Sequence, residues 1–275
     1  MNHKAHGFPF YAKIRGHRVV PLSGADGTII AEPNHGAFRV RIGSNTIAAA
    51  AFFTVLTAGC SGTPTTVGAG GGDSLERMAV AGDWNSIAIT SVSCGTRSNA
   101  CADTHATKGD ACLRLAIQQP QSASSKDSRM RELLDCAEEG YRKALAKQPS
   151  KTVPSRVSYH GGLLLTLSER RNRLDDRAKD KKLDRENEKL LIAAQDARRE
   201  VRGSALGFLY GASAHVYRAA LRPRGRDRCN DLRQADAMLQ RSPPPPRELV
   251  AEQERIRSLA KRELRANGCS RIVRR

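Results

Sequence analysis

From Asp73 onward the apolar residues of this chain recur at spacings of three and four, and the alternation of a half-buried strand never persists. That periodicity restricts the fold to all-α: each helix carries one apolar face that must be buried against another helix. It predicts helices over 74–80, 84–92, 104–119, 126–147, 155–173, a long one over 175–221, then 228–241 and 247–266, in helical hairpins. The breaks have chemical causes. Pro120, Pro149, Pro154 and Pro223 cannot continue a helix, because the ring removes an N–H and clashes with the preceding turn. Ser242 followed by Pro243 to Pro246 reads as a stiff extended connector, and Asn267-Gly268 as a helix terminator placed just before Cys269.

The long predicted helix divides chemically. Residues 169–202 are crowded with charges of both signs, whereas 203–221 are mostly apolar, so the first part is expected to be solvated and the second buried. Leu183, Leu190, Ala194, Ala197 and Val201 form a thin apolar seam on the charged part, expected as an exposed stripe, with pairing to a partner helix as the alternative. Gly203, Gly207 and Gly211 lie four apart on one face, which permits close helix contact inside a bundle.

Ahead of the helices, residues 61–72 (SGTPTTVGAGGG) have the composition of a flexible tether; no Gly-Lys-Ser/Thr follows to make a phosphate loop. Earlier still, residues 47–56 (IAAAAFFTVL) follow Arg39 and Arg41 and precede Thr57, Ala58 and Gly59, which is the three-part layout of a signal peptide. About ten apolar residues rise only ~15 Å as a helix, against roughly 30 Å of bilayer hydrocarbon, so the stretch is too short to span.

Leu56-Thr57-Ala58-Gly59-Cys60 resembles the lipobox of bacterial lipoproteins, with Thr57 a less usual residue in its place. The resemblance implies cleavage by signal peptidase II before Cys60, a diacylglycerol on the Cys60 thiol and a fatty acid such as palmitate on the new amino terminus. Several chains anchor stably where one binds only marginally. Ser61, not Asp, follows the cysteine, which in the enterobacterial sorting pattern implies the periplasmic face of the outer membrane. The 59 residues before Cys60 exceed the usual length of a signal peptide, so translation is expected to start near Val40. The expected organisation is 1–59 as signal region, 60–72 as lipidated cysteine and tether, and 73–275 as the helical domain.

With Cys60 assigned to lipid, Cys94, Cys101, Cys112, Cys136, Cys229 and Cys269 remain, an even six in a chain read as exported, and disulfides are their expected use. Fifteen pairings are possible. The helix map favours Cys94 with Cys101, Cys112 with Cys136 across one hairpin, and Cys229 with Cys269 across the last. A metal site would need closely spaced ligand pairs such as Cys-x2-Cys, which are absent, so neither a metal nor another cofactor is expected beyond the covalent lipid.

Within 126–149, Ala137, Tyr141, Ala144 and Pro149 have the spacing of the second helix of a tetratricopeptide repeat, which this segment resembles. The resemblance implies a hairpin whose small residues let two helices approach while the tyrosine ring fills the gap, with Gly109 and Leu113 serving on the first helix. No second copy at 34 residues is visible.

Catalytic constellations are not legible. The region after Cys60 holds three histidines, His105, His160 and His215, and no local spacing joins one to a nucleophile and a carboxylate. His160-Gly161-Gly162 echoes an esterase oxyanion strand, but no Gly-x-Ser-x-Gly elbow accompanies it, so a helix start or kink is expected there. Ser258-x-x-Lys261 has the penicillin-binding spacing without its companion motifs. The formal charge is +18; setting aside the six basic and two acidic residues of the first 60 leaves 40 against 26, a body of about +14 that attracts anions. Six Phe and five Tyr leave little for base stacking, and an envelope location excludes nucleic acid as a partner. The expected role is a non-catalytic scaffold for other envelope proteins in a secretion-type assembly; the alternative is a basic module binding peptidoglycan or lipopolysaccharide.

Overall fold

A computed structural model describes residues 66–67, 72–95, 97–119, 128–149, 153–174 and 180–269. The lipobox, Leu56 to Cys60, and the predicted signal region lie outside the described residues. The fold is all-α. Its helices are α1 (Gly72–Ala81), α2 (Trp84–Ile89), α3 (Asn99–Gln118), α4 (Ser128–Lys147), α5 (Val153–Asn172), α6 (Asp180–Glu200), α7 (Leu206–Leu221), α8 (Arg226–Arg241) and α9 (Val250–Ala266). Two strands of two residues, β1 (Thr66–Val67) and β2 (Ser91–Val92), pair in parallel, so part of the expected tether is held to the turn after α2.

From α3 to α9 each helix packs on its successor, and in addition α3 packs on α5, α5 on α7 and α7 on α9. The odd-numbered helices thus form one layer of a hairpin stack, and α4, α6 and α8 each pack against the two odd helices that flank them in sequence. One core cluster runs from Leu113 and Tyr141 through Leu164 and Leu167 to Leu190 and Leu206; a second joins Leu209 and Val216 to Leu239 and Ile256.

Three disulfides staple this stack, Cys94–Cys101, Cys112–Cys136 and Cys229–Cys269, closing separations of 7, 24 and 40 residues. The first clips the loop before α3 onto its opening turn, the second crosses the α3–α4 hairpin, and the third ties α8 to the end of α9.

Several expected boundaries move. α3 starts five residues earlier than its apolar pattern, because the Ser98 Oγ accepts from the Cys101 N–H at 3.1 Å and caps the helix there. α2 stops at Ile89, where Thr90 turns extended and leads into β2. The largest correction concerns the long helix over 175–221, which breaks at residues 201–205 into α6 and α7. α7 then folds back on α6, and the seam expected as an exposed stripe is buried: Leu190, Ala194, Ala197 and Val201 are at most 3% exposed, and only Leu183 at its far end is half-buried. Exposing four apolar side chains beside a second apolar helix costs more than closing one short turn. Gly203 lies in that turn with open space around it, while Gly207 and Gly211 do approach neighbours: a Cβ on Gly207 would meet the Ala194 carbonyl at 2.8 Å, and one on Gly211 the Met238 sulfur at 3.1 Å.

The α3–α4 hairpin is closely packed. Ala137 and Ala144 are fully buried, Tyr141 is 1% exposed, and Leu113 lies in the same core, while Pro149 is exposed in the turn after α4. A Cβ on Gly109 would lie 3.3 Å from the Ala137 carbonyl and the Tyr141 main-chain nitrogen, and Gly162 of α5 leaves the notch that the Tyr141 ring occupies. His160-Gly161-Gly162 is therefore not a helix start; it lies inside α5.

Candidate functional site

The chemistry-bearing groups of the described residues collect between helices. His105, His160 and His215 stand 55 residues apart in sequence, and the fold places one in each of α3, α5 and α7, all buried. Two of them, His160 and His215, contact a carboxylate from the following helix.

His160 Nε2 lies 2.9 Å from Glu200 Oε2, which also accepts from Arg156 Nε at 2.7 Å. Glu200 ends α6 and Arg156 and His160 lie in the first half of α5, so this set ties the two helices toward the open end of the α5–α6 hairpin. Burial raises the Glu200 carboxyl, but the hydrogen bonds from His160 and Arg156 outweigh it and hold the group below the usual carboxylate range. Burial is also the main cause that lowers His160, whose Nδ1 has no hydrogen-bond partner.

On α7, His215 Nδ1 lies 2.9 Å from Asp231 Oδ1 of α8, and the same carboxylate takes Arg218 at 2.7 Å and Arg222 at 2.9 Å. Asp231 is 1% exposed. Burial acts to raise it, and the bonds from His215 and Arg218 reverse the sign, so it is held below its ordinary value. Between these two sets, the buried Arg171 of α5 donates to Ser168, Asn172 and the Ser213 hydroxyl of α7 and stacks 3.8 Å from the Tyr217 ring centre.

Two tyrosines tie neighbouring helices to α3. The Tyr141 hydroxyl donates to Asp110 and the Tyr159 hydroxyl to Asp103, each at 2.5 Å. Burial drives the Asp110 carboxyl up to about 7, against the opposing effects of the Tyr141 hydrogen bond and Arg114. Asp110 therefore holds its proton far above the usual carboxylate range, a property that no local sequence signal announces.

The third histidine has a different neighbourhood. His105 lies beside the Cys94–Cys101 bridge, with its ligand nitrogen within 4.8 Å of both sulfurs. It is 5% exposed and makes no hydrogen bond among the described residues. Burial, then the charges of Lys143 and Lys147, lower its pKa below the usual histidine value, with Glu139 opposing.

These arrangements can hold charge and position helices. Among the described residues no serine, threonine or cysteine is hydrogen-bonded to a histidine. Ser258 and Lys261 both lie exposed on α9, one turn apart. On the outer face of α4, Asp135, Glu138, Glu139, Arg142, Lys143 and Ala146 line a shallow open depression. Its charges are largely paired, Glu138 with Arg142 and Arg170, and Glu139 with Lys143. Large exposed apolar side chains, Val80, Ile89, Ile117, Ile192 and Val250, are few and lie on five different helices. No helix among the described residues is long and apolar enough to cross a membrane.

Sequence reasoning missed both carboxylate partners of the histidines, because they are 40 and 16 residues away, and it missed Gly140 and Gly162 as contact points. Gly140 was within reach of the pattern: with Ala137 and Ala144 it continues the small-residue spacing along one face of α4. No protein-family model, curated protein or solved structure matches this chain.

Proposed function

We propose that this chain is a lipid-anchored envelope protein, cleaved before Cys60, that holds a stapled stack of helical hairpins at the periplasmic face of the outer membrane as a non-catalytic scaffold for other proteins of a secretion-type assembly. The observation that carries this reading is the three bridges, each closed within one local unit of the stack, since disulfides of this kind persist in oxidising compartments. On this reading the buried histidine–carboxylate–arginine sets serve the layers: they tie α5 to α6 and α7 to α8.

The test has two arms. Labelled palmitate should enter the wild-type chain and not the Cys60→Ser variant, which should also leave the membrane fraction; equal membrane retention of the variant would overturn the anchor. Crosslinking in intact cells should recover a defined envelope partner through the wild-type chain, and loss of that partner from Cys60→Ser cells would tie the scaffold to the anchor.

A second reading has one specific feature behind it, the formal charge of about +14 on the body that follows Cys60. A basic cell-wall or lipopolysaccharide module would be retained on purified sacculi or lipopolysaccharide with a steep loss on adding salt. Retention that ignores salt would reject it.

A further inference from the structure

The three bridges differ in what surrounds their sulfurs. Cys112 is fully buried, and its bridge to Cys136 lies across two helices in the core. Cys229–Cys269 closes the longest separation and anchors the end of α9. Cys94–Cys101 closes the shortest and clips a segment outside regular helix, so opening it releases the least structure.

The chemistry around that pair is also distinct. Cys101 is the third residue of α3, where the helix dipole favours negative charge. The buried His105, one turn further along α3, places a nitrogen within 4.8 Å of both sulfurs and has no hydrogen-bond partner among the described residues. Three ammonium groups, Lys108, Lys143 and Lys147, act on the same spot, with one carboxylate, Glu139, opposing them. Two of these lysines also pin the segment that carries Cys94: Lys108 Nζ donates to the Thr90 carbonyl at 2.6 Å and Lys147 Nζ to the Gly95 carbonyl at 3.2 Å. Cys94 is half-buried and Cys101 4% exposed, so an incoming group meets Cys94 first.

We propose that Cys94–Cys101 is a thiol–disulfide exchange site that an external thiol opens and recloses while the other two bridges stay shut. The donor thiolate attacks Cys94 Sγ; the S–S bond breaks and its electron pair leaves on Cys101 Sγ. Cys94 is then in a mixed disulfide with the donor, and Cys101 is a thiolate facing His105, the start of α3 and the lysines. A second donor thiolate attacks the donor sulfur of that mixed disulfide, which releases Cys94 as a thiolate and the donor as its own disulfide. The bridge has gained two electrons, the donor has lost two, and the donor's two protons have passed to solvent. The lysine bonds to Thr90 and Gly95 keep the opened Cys94 near Cys101, so the reverse reaction needs no search. This inference does not depend on the anchor or the partner.

The test is graded reduction of the whole folded chain, with a small thiol (glutathione) in one arm and a protein dithiol (thioredoxin) in the other, followed by alkylation and peptide mapping. Cys94 and Cys101 should be alkylated at least tenfold faster than the other four cysteines in one arm or both, and the faster arm identifies the donor class. In Lys108→Gln/Lys147→Gln and in His105→Phe, opening should slow several-fold while the helical circular dichroism is unchanged. A Cys94→Ser/Cys101→Ser chain should keep its other two bridges and its helix content. The proposal is overturned if the bridges open together, if another opens first, or if the lysine and histidine variants, folded, open at the wild-type rate. It is equally overturned if the chain as purified carries 94 and 101 as free thiols on a stoichiometric metal ion.

Discussion

Gly140 of α4 rides directly against Gly109 of α3, so closely that a Cβ on Gly140 would lie 2.8 Å from the Gly109 Cα and nitrogen and 2.9 Å from the His105 carbonyl. These neighbours are main chain, which cannot rotate out of the way. Gly140→Ala therefore forces the two helices apart, and the expected loss is about 1–3 kcal/mol, net of the small gain in helix propensity. Denaturant unfolding measures it, with Gly203→Ala, which has open space around it, as the comparison expected to stay within about 0.5 kcal/mol.

Asp110 makes the stability depend on pH with the less common sign. Its folded value of about 7 lies above the value near 3.8 of an unfolded carboxyl, so between these the folded state binds the extra proton. Its contribution is fully present below about pH 4 and is lost as pH rises through 7. Asp110→Asn removes this slope. Unfolding free energy measured from pH 4 to 8 for wild type minus variant should fall with rising pH; a flat difference would show that Asp110 is ionised throughout.

Asp231 has the opposite sign. Its folded value is depressed, so its contribution is present above the ordinary carboxylate range and is lost as acid protonates it. Asp231→Ala strips the partner from Arg218, Arg222 and His215 at a site 1% exposed, and about 3–5 kcal/mol of destabilisation is expected. Thermal unfolding should place this variant well below Glu252→Ala, whose Arg255 pair is exposed and is worth under about 1 kcal/mol.

The bridges should rank by the chain they close. In the chain-entropy picture, replacing both cysteines by alanine costs about 2.5 kcal/mol for Cys94–Cys101, 3.5 for Cys112–Cys136 and 4 for Cys229–Cys269. Urea unfolding of the three double variants gives the order. A Cys94–Cys101 variant that proves the least stable would mean that native strain or residual unfolded structure governs the ranking.

The class of fold and the bridge pattern were legible because both are local. Apolar spacing marks a helix wherever it sits, prolines stop it, and each cysteine pair brackets one hairpin or one loop, so the helix map alone favoured Cys112 with Cys136 and Cys229 with Cys269. The long helix misled for the same reason. Residues 175–221 carry no proline, and Gly203 is one helix-weakening residue among many good formers; nothing within that window says that the seam on α6 has a mate on α7.

What the sequence alone determined is the all-α class and the stops near Pro120, Pro149 and Pro223, and it favoured one pairing of the six cysteines, each a property of neighbours along the chain. The tertiary structure alone decided that α6 and α7 are two helices packed face to face, that His160 meets Glu200 and His215 meets Asp231, that the Tyr141 hydroxyl meets the half-buried Asp110, and that His105, with three lysines acting on it, lies against one bridge. These depend on burial and on distances between residues far apart in sequence. Solvation and Coulomb energies act through space, and no window of the chain contains them.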